Sequence, residues 1–492
     1  MVDTLVIGAG TAGCVVAARA SADPRHTVRV VEAGPVWASA AQFPPQLRDA
    51  TRLPLDDAAP WLWRYPVALT EERPGSIVRG RVAGGSGTIN GCYFVRPPAA
   101  DFTAWSQVAP GWSTDEVLPH FRELEHDYDY GDQPGHGNAG PVPVRRTTTP
   151  APLTEQFLQA CTAAGFTELA DLNALPADSA ASGAGLVPCN VGPVAGDGFR
   201  ARVATAQSYL LPALSRPNLT VTGGTTVSTI RFRGGRAIGA DCVRDGVPET
   251  VWADRVVVCA GAIESAALLL RSGIGPPEQL RALGIPVVQA APVGRWCTDH
   301  PEIGIEYRHR AQLDRTVALE SVLELGDIEI RPYTVAFAPD TRHLGIALMR
   351  PHASGTLRLR SADPLASPII EYRYLANAVD RTRLHEAAEV AGRLLDRMGA
   401  EPVGDIPDRD AAGAEHADGW LLRLLGTSQH LSGTCRMGVS GDPRAVVDER
   451  CRVHGVPGLS VADLSIVPVP LGRGPQATTV MLAERAATFL RG

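Results

Sequence analysis

An α/β fold organised round a Rossmann-like nucleotide-binding domain is predicted by three observations. A short apolar run, Leu5-Val6-Ile7, is followed at once by Gly8-Ala9-Gly10-Thr11-Ala12-Gly13, and then by a helical-looking stretch over 14–20. A second apolar run, Val28-Arg29-Val30-Val31, ends at Glu32. That acid stands about 20 residues beyond the last glycine, where a carboxylate can hydrogen-bond a ribose hydroxyl.

Each part of this unit follows from its residues. Gly8 permits the tight turn, Gly10 lets the backbone approach a pyrophosphate, and Gly13 allows the helix to pack closely on the strand. The helix N-terminus then faces the anion, and Glu32 with Ala33 closes the unit. The pattern reads an ADP moiety, so at this point NAD and FAD are equally open.

The rest of the chain sets limits. With 492 residues it is too long for one ordinary core, and two closely joined domains are expected. A composition of 45% hydrophobic and 20% charged residues belongs to a folded globular protein. A formal net charge of -7 provides no basic field for nucleic acid. The nine cysteines are odd in number and include no Cys-x-x-Cys pair, so neither a disulfide framework nor a metal site is expected, and a reducing cytoplasm fits. Strand-like residues directly follow Met1-Val2, leaving no room for a secretory leader, and no run of about 18 apolar residues predicts a membrane span. Peripheral contact with the inner face of a membrane is compatible with this pattern.

Three further blocks carry a resemblance. The first is Gly80-Arg81-Val82-Ala83-Gly84-Gly85-Ser86-Gly87-Thr88-Ile89-Asn90-Gly91, whose small residues offer backbone N–H groups to phosphates and room for a flat ring. The second runs from Gly261-Ala262-Ile263-Glu264-Ser265 to Ser272-Gly273-Ile274-Gly275 and reads as helix more than loop. The third holds His430-Leu431-Ser432-Gly433-Thr434-Cys435-Arg436-Met437-Gly438, then Val461-Ala462-Asp463-Leu464. In this order, with smaller matches at Gly111-Trp112-Ser113 and Asp299-His300-Pro301, they resemble the glucose-methanol-choline (GMC) family of FAD-dependent oxidoreductases nearly end to end. Ala83 and Ala266 depart from the family's preferred residues without changing the backbone logic.

The resemblance implies a fold like that of p-hydroxybenzoate hydroxylase. An FAD-binding domain would be assembled from residues 1–105, 180–300 and 425–492. A discontinuous α+β substrate domain, built on an antiparallel sheet, would take 106–179 and 301–424. Carried over position by position, the flavin contacts would be Gly8, Gly10, Gly13, Glu32, Ala33, Gly85, Ser86, Asn90, Gly91, Val227, Ala260, Gly261, Asp463, Leu464, Ala477 and Thr478. Val227 would lie in a hairpin-like pattern over 219–230 that holds adenine. Ile89 stands where some relatives carry the histidine that bonds the flavin, so a non-covalent FAD is implied.

His430 occupies the family's position for the catalytic base. A neutral imidazole can accept an alcohol proton at cellular pH while the carbinol carbon gives up hydride to flavin N5. The family's second histidine or asparagine would fall on Gly474, which leaves Gln476, Arg473 or a group from elsewhere as its substitute. The alanine-rich last helix, about Ala477 to Leu490, would aim its N-terminus at the flavin. Cys435 reads as a packed neighbour of the base.

Around this centre, the Gly- and Pro-rich stretch Asp132 to Pro143 reads as a cover for the site or as a plain surface connection. Thr356-Leu357-Arg358-Leu359 and Pro368-Ile369-Ile370-Glu371-Tyr372 read as short strands. The compact length and the loop Val469 to Pro475 resemble the mycofactocin-system branch. That branch implies reoxidation of the peptide-derived carrier mycofactocinol, with electrons leaving to a quinone or another respiratory-chain acceptor. A small alcohol is the alternative donor. A redox-silent, FAD-containing hydroxynitrile lyase is the alternative from another class, since His430 suits both chemistries.

Overall fold

Strands buried on both faces must read as continuous apolar runs, and the two opening runs do. In the computed structural model, which describes all residues except 54, 57, 175–181, 196–198, 312–314, 339, 408–413 and 491–492, Val2–Ile7 pairs in parallel with Val28–Val31. Leu219–Thr222 adds in parallel beyond Val28–Val31. On the other side lies the long strand Val247–Val258, whose end also pairs in parallel with Leu459–Val461. The first half of that strand turns outward into an antiparallel extension with Arg236–Arg244 and Thr225–Arg233. The expected hairpin over 219–230 is therefore not formed. Gly223 and Gly224, the latter at φ 64°, hand the chain from the parallel sheet to the extension, so the two runs pair with different neighbours.

Helices cover this sheet. Thr11–Ala20 is buried along nearly its whole length and packs against Gln476–Leu490. Glu484 of the last helix is bonded by Arg19 at 2.7 Å and by the Tyr209 hydroxyl at 2.6 Å. Gly261–Arg271 forms the third helix facing the sheet, as its sequence block predicted.

A second sheet is antiparallel through its centre, in the order Glu401–Pro402, Pro301–Arg308, Arg342–Leu348, Ile328–Tyr333, Ser321–Leu325 and Gly183–Leu186. Leu425–Thr427 also pairs with Pro301–Arg308 and so delivers the chain to His430. The short strands Thr356–Arg358 and Ile369–Glu371 form, but they join Leu62–Ala68 and Pro74–Gly80 in a separate four-stranded sheet.

The stretch 132–143 is fastened away from the cavity described below. His136 lies 3.1 Å from Glu125 and 2.9 Å from Asp171. Arg96 and Arg146 engage Glu125, Asp127 and Asp171 in the same buried cluster. Glu125, Asp127 and His136 could geometrically surround a cation, but the two guanidinium groups already hold the carboxylates. Burial pushes the His136 imidazole down, and Asp127, Asp171 and Glu125 outweigh it, raising its pKa to about 10.

Candidate active site

One cavity of about 730 Å³ runs from the turn after the first strand to the central strands of the antiparallel sheet, where Glu302, Gly304, Arg331, Tyr333 and His343 line it. Gly8, Gly10, Glu32, Ala33, Gly85, Ser86, Asn90, Gly91, Val227, Ala260, Gly261, Asp463, Leu464 and Gln476 line it together with His430. Four sequence candidates lie outside the lining. A Cβ on Gly13 would sit 1.9 Å from the Gly8 carbonyl oxygen, which gives this glycine a packing role. Ala477 and Thr478 are fully buried within the last helix. The Arg473 guanidinium turns into the protein and bonds Glu324 at 2.6 Å.

The nucleotide end has the features of a dinucleotide cradle. Glu32 accepts the N–H groups of Ala9 and Gly34, each at 2.8 Å, so its carboxylate is fixed at the strand end. Burial raises its pKa, against the pull of those N–H groups. Gly10 caps the first helix at φ -72° with no side-chain cap, leaving N–H groups free for an anion. Its dihedral suits any residue, and a Cβ there would meet nothing closer than 3.8 Å. The protein alone does not demand this glycine, whereas close approach by a pyrophosphate does. The residues present thus fit a bound dinucleotide.

At the other end, two loops 130 residues apart in sequence bring His430 and His300 together. Asp299 Oδ1 accepts the backbone N–H of His430 at 2.6 Å and that of His300 at 2.7 Å. Gln429, immediately before His430, takes the left-handed conformation at φ 63°, and its side-chain oxygen accepts the Val78 N–H. A non-glycine residue held there is strain concentrated next to His430.

The pair has a defined hydrogen order. His300 Nε2 lies 2.9 Å from the Leu471 carbonyl oxygen, which only accepts, so Nε2 carries the hydrogen. Burial and the Arg331 cation lower the His300 pKa to about 3, which keeps the ring neutral and its Nδ1 bare. That bare nitrogen lies 2.9 Å from His430 Nδ1, which must donate. His430 Nε2 is left with its lone pair free. Burial, reinforced by His300, Arg331 and Arg79, holds the His430 pKa well below the ordinary histidine value. A neutral imidazole with a bare nitrogen is the form a general base requires.

Around His430 the wall alternates in charge. Arg331 bonds Glu302 at 2.8 Å and Glu329 at 2.6 Å, while Glu329 also accepts the Tyr93 hydroxyl at 2.8 Å. Arg473 joins Glu324 to this network. Burial pushes Glu329 up, and Arg331 and Arg473 pull it below its usual value. Sequence reasoning noted His300 only as part of a family block and gave Tyr93 and Arg331 no role. His300 sat in a recognisable Asp-His-Pro signal, whereas Tyr93 and Arg331 carried none. Gln476, one proposed substitute for a second histidine, places its amide 3.0 Å from a Cβ built on Gly87, against the glycine loop.

Comparison with known proteins agrees over the whole chain. Family models described as GMC oxidoreductase match residues 2–302 and 351–483. A protein named as an uncharacterized GMC-type oxidoreductase in thcA 5'region of Rhodococcus erythropolis is 44% identical, over 100% of this chain and 98% of its own. Mitochondrial choline dehydrogenase of Mus musculus is 32% identical, over 99% of this chain and 89% of its own. The crystal structure of pyridoxine 4-oxidase from Mesorbium loti superposes with a TM-score of 0.90 at 27% identity, covering 99% of each chain. With the dinucleotide cradle and the histidine pair at opposite ends of one cavity, the chain belongs to the GMC oxidoreductase family, and its cofactor is FAD.

Proposed function

We propose that this protein is a dehydrogenase that oxidises a CH–OH group, with His430 as the base. The observation that supports this most strongly is the hydrogen order of the histidine pair, which leaves His430 Nε2 unprotonated at the cavity. Gly8, Gly10, Glu32, Gly85 and Ser86 would hold the FAD, which would supply the hydride acceptor for the carbinol carbon. The protein's own part is to receive the hydroxyl proton on His430 Nε2, to hold the His430 backbone through Asp299 and its ring through His300, and to wall the reacting carbon with Tyr93, Glu302 and Arg331.

Two donors satisfy this chemistry. The compact chain and the loop 469–475 resemble the mycofactocin-system branch and support the reduced carrier mycofactocinol. The alternative is a small alcohol. In either case a quinone or another respiratory-chain acceptor would take the electrons onward, on the cytoplasmic face of the membrane. No helix among the described residues is long and apolar enough to cross a membrane, so that contact would be peripheral.

Anaerobic stopped-flow mixing of the yellow holoenzyme with mycofactocinol, and separately with simple alcohols, tests the proposal. Bleaching of the flavin by either donor is expected. His430→Ala should slow bleaching by about 10²–10⁴-fold while keeping the visible spectrum. An unbleached flavin combined with cleavage of a cyanohydrin would replace the proposal with the lyase chemistry.

A further inference from the structure

Beyond His430 the floor of the cavity is a three-strand patch of the antiparallel sheet, in which Arg342–Leu348 lies between Pro301–Arg308 and Ile328–Tyr333. Pairing sets its rows. Glu302 and Glu329 stand opposite Ala347, Gly304 and Arg331 opposite Gly345, and Glu306 and Tyr333 opposite His343. Side chains alternate across a strand, so these residues share one face. The middle row is bare on two of the three strands. A Cβ on Gly304 would sit 2.3 Å from Cε1 and 2.9 Å from Nε2 of His343, and one on Gly345 would sit 2.4 Å from Oε1 of Glu302. The outer side chains therefore lie over the glycines, towards each other. His343 Nε2 ends above Gly304, two residues and about 7 Å of strand from Glu302. Glu302 in turn accepts the hydroxyl of Ser428 at 2.6 Å, two residues ahead of His430.

The polar groups of this floor differ in what they have left to offer a ligand. Arg331 is engaged by Glu302, Glu329 and Ser428. Glu302 accepts Arg331 and Ser428, and Glu329 accepts Arg331 and Tyr93. His343 is differently placed. Its Nδ1 lies 2.5 Å from Glu306, whose other oxygen accepts the Thr341 hydroxyl. A carboxylate only accepts, so Nδ1 carries the hydrogen and the neutral ring presents a bare Nε2. Tyr333 and Phe337, with ring centroids at 5.5 and 4.8 Å, pack against the imidazole. Nothing among the described residues bonds Nε2, and the residue lines the cavity that His430 also lines.

We infer that His343 decides which CH–OH donors the enzyme takes: its Nε2 accepts a hydrogen from a hydroxyl or N–H group that the donor carries away from its reacting carbon. This rests on the oxidation proposed above and gives the donor a second point of attachment. The reacting carbon is held at His430, and the remote group is fixed at His343 above the glycine floor. That bond is the same before and during loss of the hydride. It therefore lowers the donor concentration needed for half-saturation and leaves the limiting rate alone.

Anaerobic stopped-flow bleaching of the holoenzyme tests this with mycofactocinol, straight-chain alcohols from butanol to octanol, and the terminal diols of the same lengths. In the parent, the best diol should reach half-saturation at a concentration about tenfold or more below that of its mono-alcohol, with similar limiting rates. His343→Leu should abolish the difference by weakening the diol alone. His343→Gln, whose amide can bond the same group, should restore part of it, and both variants should keep the visible spectrum of bound flavin.

A parent that distinguishes no diol from its mono-alcohol, or a leucine variant that weakens both equally, would overturn the inference and leave the oxidation chemistry standing. If mycofactocinol alone bleaches the flavin, it takes the diol's place. A half-saturation raised about tenfold in His343→Leu at an unchanged limiting rate then supports the inference, and an unchanged half-saturation overturns it. Bleaching by no donor would remove the oxidation reading itself.

Discussion

A Cβ on Gly474 would lie 2.9 Å from Cδ1 of Tyr93 and 3.7 Å from Cε1 of His430, so the Tyr93 ring fills the space that a side chain at this position would need. Adding that side chain should overpack the wall. Gly474→Asn is expected to destabilise by about 1–3 kcal/mol, and by distinctly less in a Tyr93→Ala background. A double-mutant cycle by denaturant unfolding measures the coupling, and additive costs would show that the two residues do not compete for space.

The His300–His430 bond predicts a graded response. His300→Leu removes the acceptor for the His430 Nδ1 hydrogen, whereas His300→Asn retains an oxygen able to accept it. We expect kcat/KM for the donor to fall by about tenfold or more in the leucine variant, with most activity retained in the asparagine variant. Because His300 helps to hold the His430 pKa down, the acid limb of the pH profile should move upward in His300→Leu. Identical profiles for the two variants would reduce His300 to packing.

Two buried histidines should affect stability with opposite signs. The folded pKa of His300 is depressed to about 3, so below the ordinary value of 6.5 the unfolded chain binds a proton that the folded chain refuses. Stability from this group falls as pH drops from 6.5 towards 3. His136 is raised to about 10, so its contribution is full below 6.5 and is lost as pH rises through about 10. Unfolding of His300→Leu and His136→Gln across pH should show the difference from the parent shrinking in opposite directions.

Ile89 lines the cavity and offers no nucleophile to a flavin ring. Acid precipitation of the holoenzyme should therefore release all of the yellow colour into the supernatant as intact FAD. Colour retained in the pellet would require a covalent bond from another residue.

The nucleotide end was legible because its requirements are local. Gly8, Gly10 and Gly13 lie within six residues, Glu32 follows on the next strand, and one turn-and-helix geometry constrains them all. The last helix was legible to within one residue for the same reason. The pairing of Leu219–Thr222 was not, because an apolar run does not state which neighbour it will join. Nor could sequence show that Arg473 turns towards Glu324, or that His300 meets His430, since those contacts depend on how two sheets are set against each other.

The burial of all nine cysteines has a practical consequence for spectroscopy. A single cysteine introduced at a chosen surface position would be the one site that a thiol-reactive spin label or fluorophore could reach. Opening of the cavity mouth during turnover could then be followed from that position without first removing any native thiol.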